Sequence, residues 1–220
     1  MTTADDLAQG LAASLRQADL VPGCASGVIP DDFTPGTTLS VAYDGKDVAL
    51  GNLFRASECK LAPFISFEPE VPYPTPDPEE GTSAAAGRAP TAAGVPSNTS
   101  YMLMLLDPDA PTPEDPKFAF WRHWVLPGLQ PLAGVDGVVA QTKPAVTDYL
   151  GPGPKDSSNP HRYLFLLFRE PDGLDLTEAD VGGQEFTHRR SFDAAAFIVQ
   201  HKLKLVGMSW MRGAGDGWTE

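Results

Sequence analysis

The 220-residue chain reads as a mainly β protein, a β-sandwich flanked by short helices. Short apolar runs of strand length recur along it, and only two segments carry helical spacing. Its 21 glycines and 22 prolines separate those runs and so disfavour long helices.

Residues 5–19 are expected to form the first helix, because Leu7, Leu11 and Leu15 recur every four residues and share a face. Thr3 or Asp5 would cap its start. Such a stripe docks a helix on a protein body; the sharper alternative is a terminal arm that recognises a partner. Strands are expected at Leu39–Tyr43 and Phe64–Glu68, with Tyr43-Asp44-Gly45-Lys46 as a hairpin turn. Residues 69–97 contain seven prolines (69, 72, 74, 76, 78, 90 and 96) and no periodicity, so they read as a loop inserted into a single domain spanning 1–220. Tyr101–Leu106 and Arg162–Phe168 are apolar on both faces, as central strands are. Arg122–Leu126, Gly137–Gln141 and Val206–Met211 are further strand candidates. Phe192–Lys204 reads as a helix capped by Ser191.

Composition narrows the function. The formal net charge of −13 repels nucleic acid and anionic membranes at long range, so an anion site must be a local positive pocket on a negative body. No apolar run approaches the roughly 20 residues of a bilayer span. The N-terminus, with Asp5 and Asp6, lacks the pattern of a secretory signal. Two cysteines, Cys24 and Cys59, are too few for a disulfide framework and read as reduced thiols. The expected location is therefore cytoplasmic, and the Asn98-Thr99-Ser100 sequon is read as chance.

Three residue pairs stand at strand ends with i, i+2 spacing, which puts both members on one side of a strand. They are Asp107 with Asp109, Trp121 with His123, and His161 with Tyr163. A carboxylate beside an imidazole raises the imidazole pKa, and an imidazolium donates hydrogen bonds to phosphate or carboxylate. The glycines of Tyr149-Leu150-Gly151-Pro152-Gly153-Pro154 let backbone approach a ligand, and the Gly153 amide could join an anion cradle. Taken singly, each of these residues also fits a structural role, and Asp-Pro-Asp-Ala-Pro alone is a turn sequence. Their joint occurrence is what points to a site.

That joint pattern resembles a known family. Asp107-Pro108-Asp109-Ala110-Pro111, Asp115-Pro116 and Trp121-x-His123 are similar to the first signature of the phosphatidylethanolamine-binding proteins. Gly151-Pro152-Gly153-Pro154 and Pro160-His161-Arg162-Tyr163 are similar to the second. The likeness runs clearly from about Tyr101 to Glu170. The first hundred residues, including Val48-Ala49-Leu50-Gly51-Asn52, resemble the fungal carboxypeptidase Y inhibitor branch more loosely. The resemblance implies a sandwich of one large and one small sheet, and a cis bond at Ala110–Pro111. It implies a ligand pocket of Asp107, Asp109, Ala110, Pro111, Trp121, His123, Gly151, Gly153, Pro154, His161 and Tyr163. Departures are Thr112-Pro113, Phe118 in place of a frequent tyrosine, and Lys155, which adds a cation near the pocket mouth.

The expected function is accordingly non-enzymatic, with no cofactor, no metal and no catalytic residues. The pocket would hold phosphate-like anions or phospholipid head groups. Protein partners implied by the resemblance are a serine carboxypeptidase, inhibited by this chain, or a signalling protein; nucleic acid and stable membrane insertion are not expected. Two alternatives stand beside this. Asp107, Asp109, His123 and His161 form a ligand set suited to a divalent metal in a hydrolase, and the protein could instead be a scaffold acting through its surface.

Overall fold

In the computed structural model, which describes residues 4–70, 99–132 and 137–220, the two most apolar runs lie side by side at the centre of a six-stranded sheet. The elements in chain order are α1 (Ala4–Gln17), β1 (Ser40–Tyr43), β2 (Lys46–Asp47), β3 (Leu53–Arg55), β4 (Phe64–Ser66), β5 (Tyr101–Asp107), β6 (Trp121–Pro131), β7 (Val139–Gln141), β8 (His161–Arg169), α2 (Ala194–Gln200) and β9 (Lys204–Ala214). Single 3-10 turns lie at Ala56–Cys59, Glu178–Val181 and Phe186–Arg189. The large sheet has the order β3-β9-β8-β5-β6-β7, and the small one β2-β1-β4. Only β3 and β9 pair in parallel among these strands.

The central strands are buried on both faces because each face has its own cover. Met102, Met104 and Leu106 of β5 and Leu164, Leu166 and Phe168 of β8 pack with Leu11 and Leu15 of α1 and Phe197 of α2. Their odd-numbered neighbours, Tyr101, Leu103, Leu105, Tyr163, Phe165 and Leu167, pack with Val41 and Tyr43 of the small sheet. The two-residue period of a strand thus sorts one apolar run into two cores. Burial of Leu11 and Leu15 contributes about 2 kcal/mol each to docking α1.

Several boundaries differ from the sequence expectation. Leu7 is 52% exposed, so the leucine stripe of α1 is used only in its last two turns. The second helix is shorter than expected and is capped by Asp193, whose carboxylate accepts from the Ala196 amide at 3.0 Å; Ser191 stands at a left-handed φ of 50° instead. The residues after it extend as β9, whose pairing with β8 runs from Lys204 to Gly213. The Asp44-Gly45 turn is as expected, with φ of 46° and 78°, and it pairs Tyr43 with Lys46. The short strands β2 and β3 were not anticipated. Ala110–Pro111 is cis. The proline-rich insertion, beyond Pro69 and Glu70, lies outside the described residues, as does Asn98.

Candidate anion site at the strand ends

The site forms where β5, β6 and β8 end on the small-sheet side. Asp107 continues the odd-numbered face of β5, and His161 and Tyr163 continue that of β8. A register shift opposite Leu105 and Leu106 places His123 on the same side as Trp124. Asp107, His123, His161, Trp121 and Tyr163 are all buried, at 2%, 5%, 3%, 8% and 1% exposure.

Asp107 is the hub. Its Oδ2 lies 2.8 Å from His161 Nδ1 and 3.9 Å from His123 Nε2, and its Oδ1 accepts from the Asp109 amide at 2.7 Å. The proton positions follow from what each partner can accept. Ser158 spends its hydroxyl hydrogen on the Asn159 carbonyl at 2.9 Å, so its oxygen, 3.1 Å from His161 Nε2, is an acceptor. His161 thus has the Asp107 carboxylate against Nδ1 and the Ser158 hydroxyl against Nε2, an arrangement that accommodates a proton on both nitrogens. Burial alone would lower the His161 pKa, but the hydrogen bond and charge of Asp107 outweigh burial and raise it. Burial would likewise raise the Asp107 pKa, and the neighbouring His123 together with the hydrogen bond from His161 lowers it instead. His123 Nδ1 donates to the Leu150 carbonyl at 2.7 Å, which turns Nε2 toward Asp107. The His123 carbonyl is fixed by Arg189 at 3.1 Å.

Tyr163 packs the two imidazoles together. Its ring stacks on His161, 6.2 Å between centroids at 14°, and meets His123 edge-on at 5.3 Å. Burial keeps its hydroxyl protonated, with the pKa raised well above the ordinary tyrosine value, although the Gly153 amide hydrogen-bonds to it. The Gly153 amide thus lies toward the Tyr163 hydroxyl in this structure. Gly151 answers to packing: a Cβ there would stand 2.3 Å from the Cys59 carbonyl oxygen. Ala110 and Pro154 are buried beside this loop system, and Pro111 is half-buried. Lys155 is exposed.

Asp109 does not share a face with Asp107. The strand ends at Asp107, and Asp109 lies in the following turn, so the i, i+2 rule no longer applies. Its Oδ2 accepts from the Arg162 amide at 2.7 Å and from Nε at 2.9 Å, and its Oδ1 from an Arg162 terminal nitrogen at 2.5 Å. Arg162, on the even-numbered face of β8, also donates to the Ala18 carbonyl at 2.6 Å and the Asp19 carbonyl at 3.3 Å. The four-residue set of two carboxylates and two imidazoles is therefore split, and the metal-ligand geometry proposed for it does not assemble. Among the described residues there is no group of three or more His, Cys, Asp or Glu placed to hold a metal.

Ser158, Leu150, Arg162 and Arg189 support the site without having been anticipated. Arg162 was within reach of sequence reasoning, since it alternates with His161 and Tyr163 in a strand that is otherwise apolar.

A family model for phosphatidylethanolamine-binding protein matches residues 31–209. The chain belongs to the phosphatidylethanolamine-binding protein family. A rice member described as Protein MOTHER of FT and TFL1 homolog 2 is 27% identical over 190 residues, covering 84% of this chain and 86% of its own. Among solved structures, a carboxypeptidase Y inhibitor complexed with its cognate proteinase superposes with a TM-score of 0.71 at 22% identity, covering 98% of this chain and 100% of that one. The phosphatidylethanolamine-binding protein from Plasmodium vivax gives 0.60 at 19% identity, with 93% and 97% covered. At these identities the two structures speak to the fold, two sheets with a few short helices, which is the phosphatidylethanolamine-binding protein architecture.

Proposed function

We propose that this chain is a non-catalytic binding and regulatory protein whose Asp107–His123–His161 site takes a small phosphate-like oxyanion, free or as a phospholipid head group. The observation that carries this reading is the buried His161, hydrogen-bonded through Nδ1 to Asp107, 3.1 Å from Ser158 through Nε2 and stacked on Tyr163, in a chain of net charge −13. A phosphate oxygen can replace the Ser158 hydroxyl as the acceptor at Nε2. Asp107 then keeps the imidazolium charged while ligand binds, and Asp109 acts from outside by anchoring Arg162.

Because His161 is raised, the donor survives to higher pH than an ordinary histidine. Affinity for inorganic phosphate is expected to hold through weakly acidic pH and to fall as pH rises through the raised His161 value. Calorimetric titration at several pH values checks this, with His161→Gln expected to lose at least tenfold in affinity. Equal affinity across the histidine range, or in the variant, would reject the site.

The cellular role we infer is inhibition of a serine carboxypeptidase, supported by the likeness in fold to the carboxypeptidase Y inhibitor over the whole of both chains. Titrating purified protein into a peptidase assay with carboxypeptidase Y should give stoichiometric loss of activity. Full activity at excess protein would leave the anion site standing and remove the inhibitor role.

A further inference from the structure

A single short turn stands between the Asp107 hub and solvent. Ser158, whose oxygen lies 3.1 Å from His161 Nε2, is 3% exposed, while Lys155, Asp156, Ser157 and Asn159 around it are exposed. The 155–159 turn is therefore a wall one residue thick.

The other walls are firmly tied. β5, β6 and β8 are paired strands. Tyr149 donates to the Cys59 carbonyl at 2.7 Å, and Gly151 packs against the same carbonyl. The Phe118 amide donates to the Ala110 carbonyl at 2.9 Å, and the Phe118 carbonyl accepts from the Ser191 amide at 3.0 Å. Among the described residues, the only backbone–backbone hydrogen bond of residues 155–159 is internal, from the Ser158 amide to the Lys155 carbonyl at 3.0 Å. Pro154 and Pro160 bound the turn and have no amide with which to tie its ends. The turn also has no apolar side chain to bury. Segments held by exposed hydrogen bonds and little apolar packing are the ones that open locally.

Two side-chain contacts hold this turn shut. On the surface, Asn159 donates to Glu114 at 2.5 Å. Asp156 Oδ1 accepts from the Gly217 amide at 3.0 Å. The segment Gly215–Trp218, which follows β9, is itself well anchored. Arg55 donates to its Gly215 and Trp218 carbonyls at 3.1 and 2.7 Å, and Asp216 accepts from the Ser57 amide at 2.9 Å. Glycine is required where this segment meets the turn. A Cβ on Gly215 would stand 2.3 Å from Asp156 Oδ1, and one on Gly217 2.6 Å from Oδ2.

We propose that the 155–159 turn is the gate of the Asp107 site and that the Gly215–Trp218 segment is its latch. Swinging the turn outward carries Ser158 away from His161 and bares Nε2. Asp156 is a positioning residue that fastens the turn to the latch. Arg55 is a positioning residue one step further back, which holds the latch itself. That an oxyanion enters by this gate rests on the function proposed above; the gate and latch do not.

The test is the rate at which diethyl pyrocarbonate modifies His161 in the whole chain, located by mass spectrometry. Asp156→Ala and Arg55→Gln should each raise that rate roughly fivefold, as expected from loss of a single hydrogen bond. Asp156→Asn, which keeps an acceptor oxygen, should stay near the wild type. The exposed His188 should react equally in all four proteins, as a control for general loosening. An unchanged His161 rate in both Asp156→Ala and Arg55→Gln, or an equal rise at His188, overturns the proposal. A rise with Asp156→Ala alone keeps the gate and overturns the latch. Inorganic phosphate should slow modification of His161 in the wild type. Absence of that protection, with the variants still faster, rejects the oxyanion reading and leaves the gate standing.

Discussion

Asp107→Asn is expected to destabilise the protein by about 3 kcal/mol near pH 6, since removing one member of a buried, hydrogen-bonded ion pair strands the other. For a chain of this length that is a fall in Tm of roughly 6–12 °C. The pH dependence identifies the cause. His161 has a raised folded-state pKa, so its contribution is fully present below the unfolded value of 6.5 and is lost as pH rises through the folded one. Asp107 has a lowered pKa, so its contribution is present above 3.8 and is lost as pH falls through the folded value. The gap in stability between wild type and variant should therefore be widest in the weakly acidic range and narrow toward alkaline pH. Urea unfolding across pH 5–9 measures it. A gap that does not change with pH would mean that Asp107 contributes only shape.

Arg162→Met should be of similar or greater effect, about 3–5 kcal/mol, because it leaves the Asp109 carboxylate, 1% exposed, without its guanidinium. It also removes the bonds to the Ala18 and Asp19 carbonyls at the end of α1. Combining it with Asp109→Asn should restore part of the loss, since the stranded charge disappears. Denaturant unfolding of the two singles and the double gives the coupling directly. A loss below about 1 kcal/mol for Arg162→Met would show that water satisfies Asp109 when the pair is broken.

The central strands were legible in sequence because Tyr101–Leu106 of β5 and Tyr163–Phe168 of β8 are apolar at every position and turn-rich segments bound them. The hairpin at Asp44-Gly45 was legible for the same local reason, a turn that needs positive φ at both residues. β2 and β3 were not, because strands of two and three residues carry no period; they exist through pairing with β1 and β9. The end of the second helix was misplaced because Leu203 was read together with Phe197 and Ile198 as part of the helix, which ends at Gln200. In the candidate site, the signature motifs brought out Asp107, His123, His161 and Tyr163, which the fold does assemble. They also brought in Asp109, whose spacing from Asp107 carries a face assignment only while the strand continues. Where a chain turns is a tertiary fact, and so is the identity of the group waiting on the far side. Arg162 could be placed on the opposite face by parity, but not matched to Asp109 or to α1.

The near-complete burial of the Asp107 site has a kinetic meaning. With its hub residues at 2–5% exposure, the proposed oxyanion would need a local opening to reach His161. The frequency of that opening would set a ceiling on the rate of capture however concentrated the ligand is. Occupancy under the proposed function would then track slow changes in ligand supply and ignore brief ones, as a low-pass filter does.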